Sequence, residues 1–370
     1  MTQTVLLGDI ATIQTGPFGS QLHQKDYVTD GTPIITVEHL GQDRIDRNGL
    51  PRVTDLDKQR LNRYWLKEGD TVFSRVGSVD RASYVHKEED GWLFSGRCLR
   101  VSPNKEKVNS RFLSFLLRSD HFTNYIKSIA VGATMPSINT KLLATAPVTI
   151  PAREQQDFAA EVLDEIERKI ELNRGMNETL EQIGQALFKH YFIDNPEAQT
   201  WPERRLGEFF PVKTGKKDAN FGTLDGEYPF FTCAQTASKA PDYSFEGSAL
   251  LLAGNGDFSL KLYRGKFEAY QRTYVLIPAD ERLVGYLYFL MSRFLDEITS
   301  GSRGSVIKFI TKGMIENYKI IAPSDQHLIQ IEEPLNQITM NVEKNKEQMT
   351  ALAELRDSLL PRLISGKLKV

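Results

Sequence analysis

The sequence has few of the residues that usually carry chemistry or cross-link a chain. Its 370 residues include two cysteines, Cys98 and Cys233, six histidines and three tryptophans. The cysteines lack a metal-type spacing, so we expect reduced, packed thiols rather than a disulfide framework. The histidines are scattered singly, which predicts neither a metal site nor a histidine-based catalytic centre.

Long apolar runs are also missing. No stretch of 18 apolar residues occurs, so we expect no membrane span. The opening residues, "MTQTVLLGDI", lack the basic and apolar regions of a signal peptide, which predicts a cytoplasmic protein. With 40% hydrophobic and 25% charged residues, the composition is that of a folded protein. The length predicts two or three domains.

Known catalytic motifs are absent as well. The sequence contains no P-loop, no G-x-G-x-x-G, no G-x-S-x-G and no H-E-x-x-H. The Asn-Pro-Pro-aromatic tetrapeptide with which amino-methyltransferases hold a flipped base is missing too. The sequence therefore predicts a protein without catalytic residues, metal or cofactor.

The net charge of −2 gives no indication of a nucleic-acid partner, but the charge is unevenly distributed. Lys and Arg outnumber Asp and Glu by 3 in residues 1–150 and by 2 in 201–322. Acidic residues are in excess by 6 in residues 151–200 and by 1 in 323–370. Two mildly basic parts with an acidic helical part between them are compatible with DNA binding.

An internal repeat organises the chain. "LLGDIATIQTG" (Leu6–Gly16) matches "RLGEFFPVKTG" (Arg205–Gly215), and "TPIIT" matches "YPFFT" further on. A strand, a glycine turn and a second strand follow in each copy, with Gly77 and Gly256 where hairpin turns need positive φ. We therefore expect an α+β fold with a pseudo-two-fold internal repeat. Its similar mixed α/β domains span residues 1–150 and 196–322, and helical segments span 151–195 and 323–370.

The two helical segments carry the clearest pattern. After Pro151 and Pro323 the copies keep a constant offset of 172 residues, and apolar residues recur at alternating steps of three and four. This 3.5-residue period predicts a coiled coil, and the intervening second domain favours antiparallel pairing, with the two domains at opposite ends. Pro334 predicts a kink or a late start in the second helix. The predicted pairing residues are Leu163, Ile166, Ile170, Asn173, Leu180, Leu187, Leu335, Ile338, Val342, Asn345, Leu352 and Leu359. Asn173 and Asn345 occupy equivalent positions and either specify the register or are solvated.

Four stretches give the chain a family resemblance: "GDTVFSRVGSVDRASYV", "VGATMPSINTKLLATAPVTIPAREQQ", "NETLEQIGQALFKHYF" and "LAELRDSLLPRLISGKL". In this order, and with the repeat, the chain resembles the specificity subunits of type I restriction-modification enzymes over essentially its full length. The resemblance implies a non-catalytic subunit with two target-recognition domains, each reading one half of a split, asymmetric DNA target. It also implies that the helices set the spacing and that the partners are two methyltransferase subunits and, in the full complex, restriction (translocase-nuclease) subunits.

Candidate DNA-binding residues are those whose side chains suit base edges or phosphates and that lie in loops at strand ends. In the first domain they are Gln14, Thr15, Ser20, Gln21, Arg75, Ser78, Arg81 and Arg97. In the second they are Lys213, Lys216, Lys217, Asn255, Lys261, Arg272, Arg303 and Lys308. When the stretch that begins at Gly91 is aligned with the one that begins at Gly265, Arg97 falls one position before Arg272. The two arginines are therefore not assigned as equivalent. For any single member, a solvated charge or a turn-forming role is an equally good interpretation.

Some alternatives stay open. The acidic residues of the first helix lie mostly outside the pairing stripe, for example Glu161, Glu165, Glu167, Glu171, Glu178 and Glu181. They form either a solvated face or a docking surface for a basic partner. A coiled-coil scaffold without sequence-specific DNA binding is an alternative function, and a fused methyltransferase or nuclease is a weaker one.

Overall fold

The computed structural model of the protein describes residues 2–17, 19, 21–41, 43–302 and 308–366, with only the backbone described at 24, 325–327, 330 and 331. The chain divides into two compact units. The first unit comprises Met1–Glu171 and Thr350–Val370, and the second comprises Leu172–Met349. Each unit contains one mixed domain and a part of each of two long helices.

Among the described residues of the first unit, nine strands and five shorter helices precede the first long helix. The strands are β1 (Gln3–Leu6), β2 (Ala11–Thr15), β3 (Thr32–Ile35), β4 (Arg52–Val53), β5 (Thr71–Ser74), β6 (Ala82–Tyr84), β7 (Leu93–Phe94), β8 (Cys98–Pro103) and β9 (Pro147–Ile150). The helices are α1 (Leu7–Ile10), α2 (Asp55–Arg60), α3 (Ser110–Arg118), α4 (Asp120–Ile129), α5 (Thr140–Ala144) and the long α6 (Arg153–Phe188).

These strands form a four-stranded sheet in the order β2-β8-β5-β6, a three-stranded sheet β4-β3-β7 and the pair β1-β9. Helix α3 begins where Asn109 Oδ1 accepts hydrogen bonds from the amides of Arg111 and Phe112. Its apolar face packs Phe112 and Leu116 into the same core as the sheet residue Phe73. The four-stranded sheet is thus held against α3, with its loops left at the edge.

In the described part of the second unit there are eight strands and, besides the end of α6, four helices. The strands are β10 (Glu203–Arg205), β11 (Val212–Thr214), β12 (Tyr228–Phe231), β13 (Ser238–Ala240), β14 (Phe245–Ala253), β15 (Leu260–Ala269), β16 (Thr273–Leu276) and β17 (Lys319–Ile321). The helices are α7 (Val284–Arg293), α8 (Leu295–Thr299), α9 (Lys312–Glu316) and the long α10 (Asp325–Ile364), whose last part lies in the first unit.

A six-stranded sheet, β11-β16-β14-β15-β12-β13, forms the body of this domain, and β10 pairs with β17. Helix α7 packs tightly against both long helices. A Cβ on Gly184 of α6 would lie 2.0 Å from the Phe289 ring, and one on Gly285 would lie 2.5 Å from the amide nitrogen of Asn336 in α10. The glycines therefore permit close helix contact at these two points.

The repeat extends to individual backbone hydrogen bonds. The Gly16 amide donates to the Cys98 carbonyl at 3.2 Å, and the Gly215 amide donates to the Thr273 carbonyl at 3.1 Å. Gly77 and Gly256 have φ of +83° and +76°, as the predicted turns require. The predicted α+β fold with two similar domains is confirmed.

The long helices contain 36 residues in α6 and 40 in α10. In the first unit Arg356 Nη1 donates to Glu167 Oε1 at 2.9 Å, and Gln155 Nε2 donates to the Gly366 carbonyl at 3.5 Å. From Gln155 to Glu167 the residue numbers rise along α6, while those of their partners fall from Gly366 to Arg356. The two long helices are therefore antiparallel, as predicted. Helix α10 begins at Asp325, upstream of Pro334, so the predicted late start is wrong.

Buried amides mark the pairing in the second unit. Asn345 Nδ2 donates to Asn177 Oδ1 at 2.8 Å, Asn177 Nδ2 donates to the Val342 carbonyl at 3.2 Å, and Asn173 Nδ2 donates to Gln348 Oε1 at 3.2 Å. These bonds favour the interpretation that the amides specify the register over the solvated alternative. Among the predicted pairing residues, six apolar ones are buried and four half-buried. The buried ones are Leu163, Ile166, Ile170, Leu335, Ile338 and Val342, and the half-buried ones are Leu180, Leu187, Leu352 and Leu359.

Candidate nucleic-acid interface

Several loops of the second unit meet where backbone hydrogen bonds connect them. The Gln271 amide donates to the Lys217 carbonyl at 2.9 Å, and the Gly254 amide donates to the Arg272 carbonyl at 2.8 Å. The Gly256 amide donates to the Lys308 carbonyl at 3.2 Å, and Asn255 forms a β-bridge with Phe309. We call this group of loops, 215–217, 232–234, 254–259, 270–272 and 308–309, the second loop cluster.

The side chains of this cluster differ in how free they are to contact a ligand. Lys216, Arg272 and Lys308 are exposed, as is Lys213 on the neighbouring strand β11. The ammonium of Lys217 lies 4.2 Å from the centre of the Phe221 ring, a cation–π contact that positions it. Asn255 is half-buried.

Lys261 has a structural contact inside the cluster. Its Nζ donates to the Ala234 carbonyl and, at 3.4 Å, to Ser259 Oγ. Burial lowers the pKa of this lysine below its ordinary value. Cys233 Sγ lies 3.5 Å from the Arg272 carbonyl, so the 232–234 loop is tied to the rest of the cluster from both sides. Lys261 thus supports a loop of the cluster, and its contact with DNA stays a prediction.

The first unit brings together an equivalent set of loops. The Arg75 amide donates to the Arg97 carbonyl at 2.8 Å, and Arg75 Nη1 donates to the Gly96 carbonyl at 3.1 Å. The Gly77 amide donates to the Pro136 carbonyl at 2.8 Å. We call the loops 15–16, 75–81, 95–97 and 131–137 the first loop cluster. It contains Thr15, Arg75, Ser78, Arg81 and Arg97, and the last three are exposed.

Arg97 and Arg272 occupy the same place in the two clusters. Arg97 precedes Cys98, whose carbonyl accepts from Gly16, and Arg272 precedes Thr273, whose carbonyl accepts from Gly215. The predicted one-residue mismatch between the two arginines is therefore wrong. The mismatch arises because the second copy has one residue more between Gly265 and the end of β15 than the first copy has between Gly91 and the end of β7.

Other candidate residues have internal partners or lie outside the described chain. Gln14 Oε1 accepts a hydrogen bond from Arg100 Nη2, within the β2-β8 pair. Gln21 Oε1 accepts from the Tyr64 hydroxyl at 2.7 Å and from Arg63 Nη2 at 3.1 Å. The structure thus gives both glutamines structural contacts. Ser20 and Arg303 lie outside the described residues.

The first domain contains a buried group of charges that the sequence did not indicate. Asp43 is 4% exposed and accepts from Arg111 through both oxygens, at 2.5 and 2.8 Å, and from Arg118 at 2.6 Å. Burial raises the pKa of Asp43, but Arg118, His86 and Arg111 together hold it well below its usual range. The carboxylate is therefore ionised and joins its loop to α3. An adjoining polar cavity of about 310 Å³ is lined in part by Asp164 and Glu167 of α6.

The acidic face of α6 divides into two sets. Glu167 accepts from Arg356, Glu171 lies 3.7 Å from Arg44, and Glu181 accepts from the Tyr288 hydroxyl at 2.9 Å. The second set, which is exposed, comprises Glu161, Glu165 and Glu178. Only this second set fits a solvated face or a partner surface.

Two kinds of feature are absent from the described part of the chain. No helix there is long and apolar enough to cross a membrane. No group of three or more His, Cys, Asp or Glu side chains suited to a metal ion occurs within the same residues. Both cysteines are free, and burial raises the pKa of the Cys98 thiol to about 12.

The sequence model of the family described as "Type I restriction modification DNA specificity domain" matches residues 2–182 and 198–351. The chain belongs to this family. The two matched segments take in both mixed domains and most of both long helices, so the chain carries the family's domain twice. The family resemblance seen in the sequence is confirmed.

Two relatives of the chain are named as specificity subunits. It is 40% identical over 172 residues to the type I restriction enzyme EcoDI specificity subunit of Escherichia coli, covering 45% of this chain and 38% of that one. It is 26% identical over 306 residues to the MjaIX specificity subunit of Methanocaldococcus jannaschii, covering 72% and 71%. The first alignment thus spans well under half of that relative. These names assign specificity rather than catalysis to the relatives.

The fold of the chain has a solved counterpart. The S subunit of a type I restriction-modification system from M. genitalium superposes with a TM-score of 0.61 at 14% identity, covering 98% of this chain and 96% of that one. A fold with two mixed domains and two long helices is thus also found in a crystal structure.

Proposed function

We propose that the protein is the non-catalytic DNA-specificity subunit of a type I restriction-modification complex. Each domain recognises one half of a split, asymmetric target through its loop cluster. The subunit recruits two methyltransferase subunits, and restriction subunits join in the full complex. The proposal rests on the family membership and on the equivalent loop clusters.

The repeated loop cluster carries the DNA-recognition part of the proposal. In both units an exposed arginine, Arg97 or Arg272, sits beside a glycine turn, Gly77 or Gly256, with other polar side chains around it. Guanidinium groups suit guanine edges, and lysine ammonium groups and backbone amides suit phosphates. The same backbone bonds thus hold two sets of different side chains, as expected when two half-sites differ in sequence.

The charge distribution supports a division between DNA and protein partners. The domains have a net excess of basic residues, while residues 151–200 have an excess of 6 acidic ones. Three of these acidic residues, Glu161, Glu165 and Glu178, stay exposed on α6. Phosphates would be repelled by this face, whereas a basic surface of a methyltransferase subunit would be attracted to it.

A sequencing experiment tests the proposal. The chain is co-expressed with the methyltransferase subunit of its own operon, and methylated bases are mapped across the host genome. A single split motif is expected. Replacing residues 1–150 by the corresponding domain of a relative should alter one half of the motif and leave the other unchanged. A change in both halves contradicts the assignment of one domain to each half-site, and methylation without sequence preference favours the scaffold alternative.

The helical pair is proposed to set the number of base pairs between the half-sites. The unit boundaries fall after Glu171 in α6 and before Thr350 in α10, so insertions there leave the contacts within each unit intact. Seven residues added to both helices keep the 3.5-residue pattern in phase and add about 10.5 Å. At about 3.4 Å per base pair, the spacer should grow by about three base pairs with both half-sites unaltered. Insertion into only one helix is the control and should abolish methylation.

A further inference from the structure

A short loop of the first cluster presents apolar side chains in a fixed conformation. Its ends pair with each other: the Val131 amide donates to the Ser137 carbonyl and the Ser137 amide to the Val131 carbonyl, both at 2.9 Å. Gly132 has a φ of +108°, and a Cβ there would lie 2.8 Å from the Met135 carbonyl oxygen. The ring of Pro136 restricts the backbone angle φ at that position as well. The tip between these residues is therefore closed and tightly folded.

The tip is docked onto the hairpin that carries the candidate arginines. The Gly77 amide donates to the Pro136 carbonyl at 2.8 Å, and the Ile138 amide donates to the Arg75 carbonyl at 2.9 Å. Val76 and Ser137 form a β-bridge between these bonds. Met135 is thus held next to the loops of Arg75 and Arg97 by main-chain contacts that do not depend on its own side chain.

The side chains of the tip are exposed. Met135 is 60% and Val131 63% accessible. Single exposed apolar residues are common on protein surfaces, so exposure alone indicates little. Here the loop is bonded through its backbone to the hairpin 75–81, which carries the exposed Arg81, and the Arg75 amide donates to the carbonyl of the exposed Arg97. An apolar tip and exposed cations in one loop cluster match a groove of DNA, where phosphates flank stacked bases.

We propose that Met135 is a base-contacting residue of the first half-site, inserted against a base step and loosening its stacking. This inference rests on the proposed function and adds an apolar contact to its polar ones. DNA-bending proteins insert Met, Leu, Ile, Phe or Pro between base steps, and methionine is long, unbranched and polarisable enough to follow the faces of two bases. The second unit has an exposed aromatic residue nearby in its own cluster: Phe309, 42% accessible, pairs with Asn255 as Ser137 pairs with Val76.

The test uses the complex with its methyltransferase subunit and duplexes containing the mapped target. A fluorescent adenine analogue, 2-aminopurine, replaces one base of the first half-site at a time, except the methylated base, which a methyltransferase itself extrudes from the stack. The wild-type complex should raise its fluorescence at one step, because unstacking relieves quenching. Met135→Ala should abolish this rise and weaken specific binding about tenfold, the effect of losing one base contact. Met135→Leu should restore both. The dependence of binding on salt should stay the same in all three, since no phosphate contact changes.

Met340→Ala, at another exposed methionine, 49% accessible on α10, is the matched control and should behave as wild type. If Met135→Ala keeps wild-type affinity and fluorescence while the complex remains specific, the inference about Met135 is wrong and the proposed function stands. If the wild-type complex shows no preference for the mapped sequence, the proposed function fails, and the role of Met135 fails with it.

Discussion

The two units attach a domain to a long helix at the same three positions but with different chemistry. The positions are Asp164, Glu167 and Glu171 on α6 and, 172 residues later, Asn336, Thr339 and Glu343 on α10. In the first unit three arginines each approach one carboxylate: Arg111 with Asp164 at 2.6 Å, Arg118 with Glu167 at 3.8 Å and Arg44 with Glu171 at 3.7 Å. In the second unit Arg264 alone contacts all three, with Glu343 at 2.6 Å, Asn336 at 3.0 Å and Thr339 at 3.1 Å.

The difference follows from the number of charges. Three carboxylates at a domain–helix contact each need a cation, because a buried unpaired charge is costly. Asn and Thr need only hydrogen bonds, and the five N–H donors of one guanidinium can serve them together with one carboxylate. The second unit replaces the missing ion pairs by close packing at Gly184 and Gly285. The repeat thus keeps the contacting positions while the interactions at them change.

The largest effect is expected where the first unit has most buried charge. Asp43→Ala removes the buried carboxylate shared by the half-buried Arg111 and Arg118, and should lower the free energy of unfolding of the first unit by about 3–5 kcal/mol. Urea denaturation followed by tryptophan fluorescence in a Trp201→Phe background reports the first unit through Trp65 and Trp92. Asp80→Ala breaks only the more exposed pair with Lys127 and should cost less than about 1 kcal/mol. Equal losses in the two variants would contradict the ranking.

A close helix contact takes the place of these charges in the second unit. Gly285→Ala forces a Cβ to 2.5 Å from the Asn336 amide, so α7 and α10 must separate, and about 1–3 kcal/mol of stability should be lost. Trp201 reports this unit when Trp65 and Trp92 are replaced by Phe. Gly313→Ala in α9, where the nearest atom is 3.7 Å from the new Cβ, is the control and should be neutral or stabilising. If Gly285→Ala left the free energy of unfolding unchanged, the close contact between α7 and α10 would not contribute to the stability of the second unit.

The helices and the repeat were predictable from the sequence because both are local patterns. A 3.5-residue period and a constant offset of 172 require no knowledge of the tertiary structure. Which glutamates of α6 face inward was not predictable from the sequence. Glu167 and Glu171 pair with Arg118 and Arg44, which are distant from them in the sequence. In the sequence, a glutamate that pairs with a distant arginine looks the same as one that stays exposed to solvent.

The candidate site was predictable as loops but less so as side chains. Gly77 and Gly256 mark both clusters because positive φ favours glycine. Gln14 was chosen as a polar residue near a strand end, yet its partner, Arg100, lies on the neighbouring strand. The Arg97–Arg272 equivalence was missed because β15 extends the second copy by one residue. Main-chain hydrogen bonds reveal it, and side-chain types do not.

The equivalence of Arg97 and Arg272 leads to a paired experiment. Each arginine replaced by Ala should weaken binding of the complex to its target by about 1–3 kcal/mol if it contacts a guanine, and relax specificity in its own half-site only. Binding of fluorescent duplexes carrying single substitutions in either half measures both effects. Arg282→Ala, whose guanidinium is paired with Asp280 at 2.6 Å in the second unit, is the control and should bind normally. If Arg97→Ala relaxed the second half-site, the assignment of domains to half-sites would be wrong.

The smallest difference expected between the units is in their pH dependence. Glu332 of α10 is 3% exposed, and its equivalent in α6 is Ala160. Burial and the carboxylate of Asp280 raise the pKa of Glu332 from its ordinary 4.5 to about 7. The folded second unit therefore keeps a proton that the unfolded chain releases. Its contribution is complete below pH 4.5 and is lost as the pH rises to about 7, at no more than about 1.4 kcal/mol per pH unit.

Glu332→Gln should remove this part of the pH dependence, because the amide stays neutral throughout the range. Urea denaturation between pH 5 and 8, followed through Trp201, measures the slope, and Glu333→Gln at the exposed neighbouring position should leave it as in wild type. The first unit, with Ala160 at this position, should lack the contribution altogether. A slope that survives Glu332→Gln would assign the pH dependence to another group of the second unit and remove this distinction between the units.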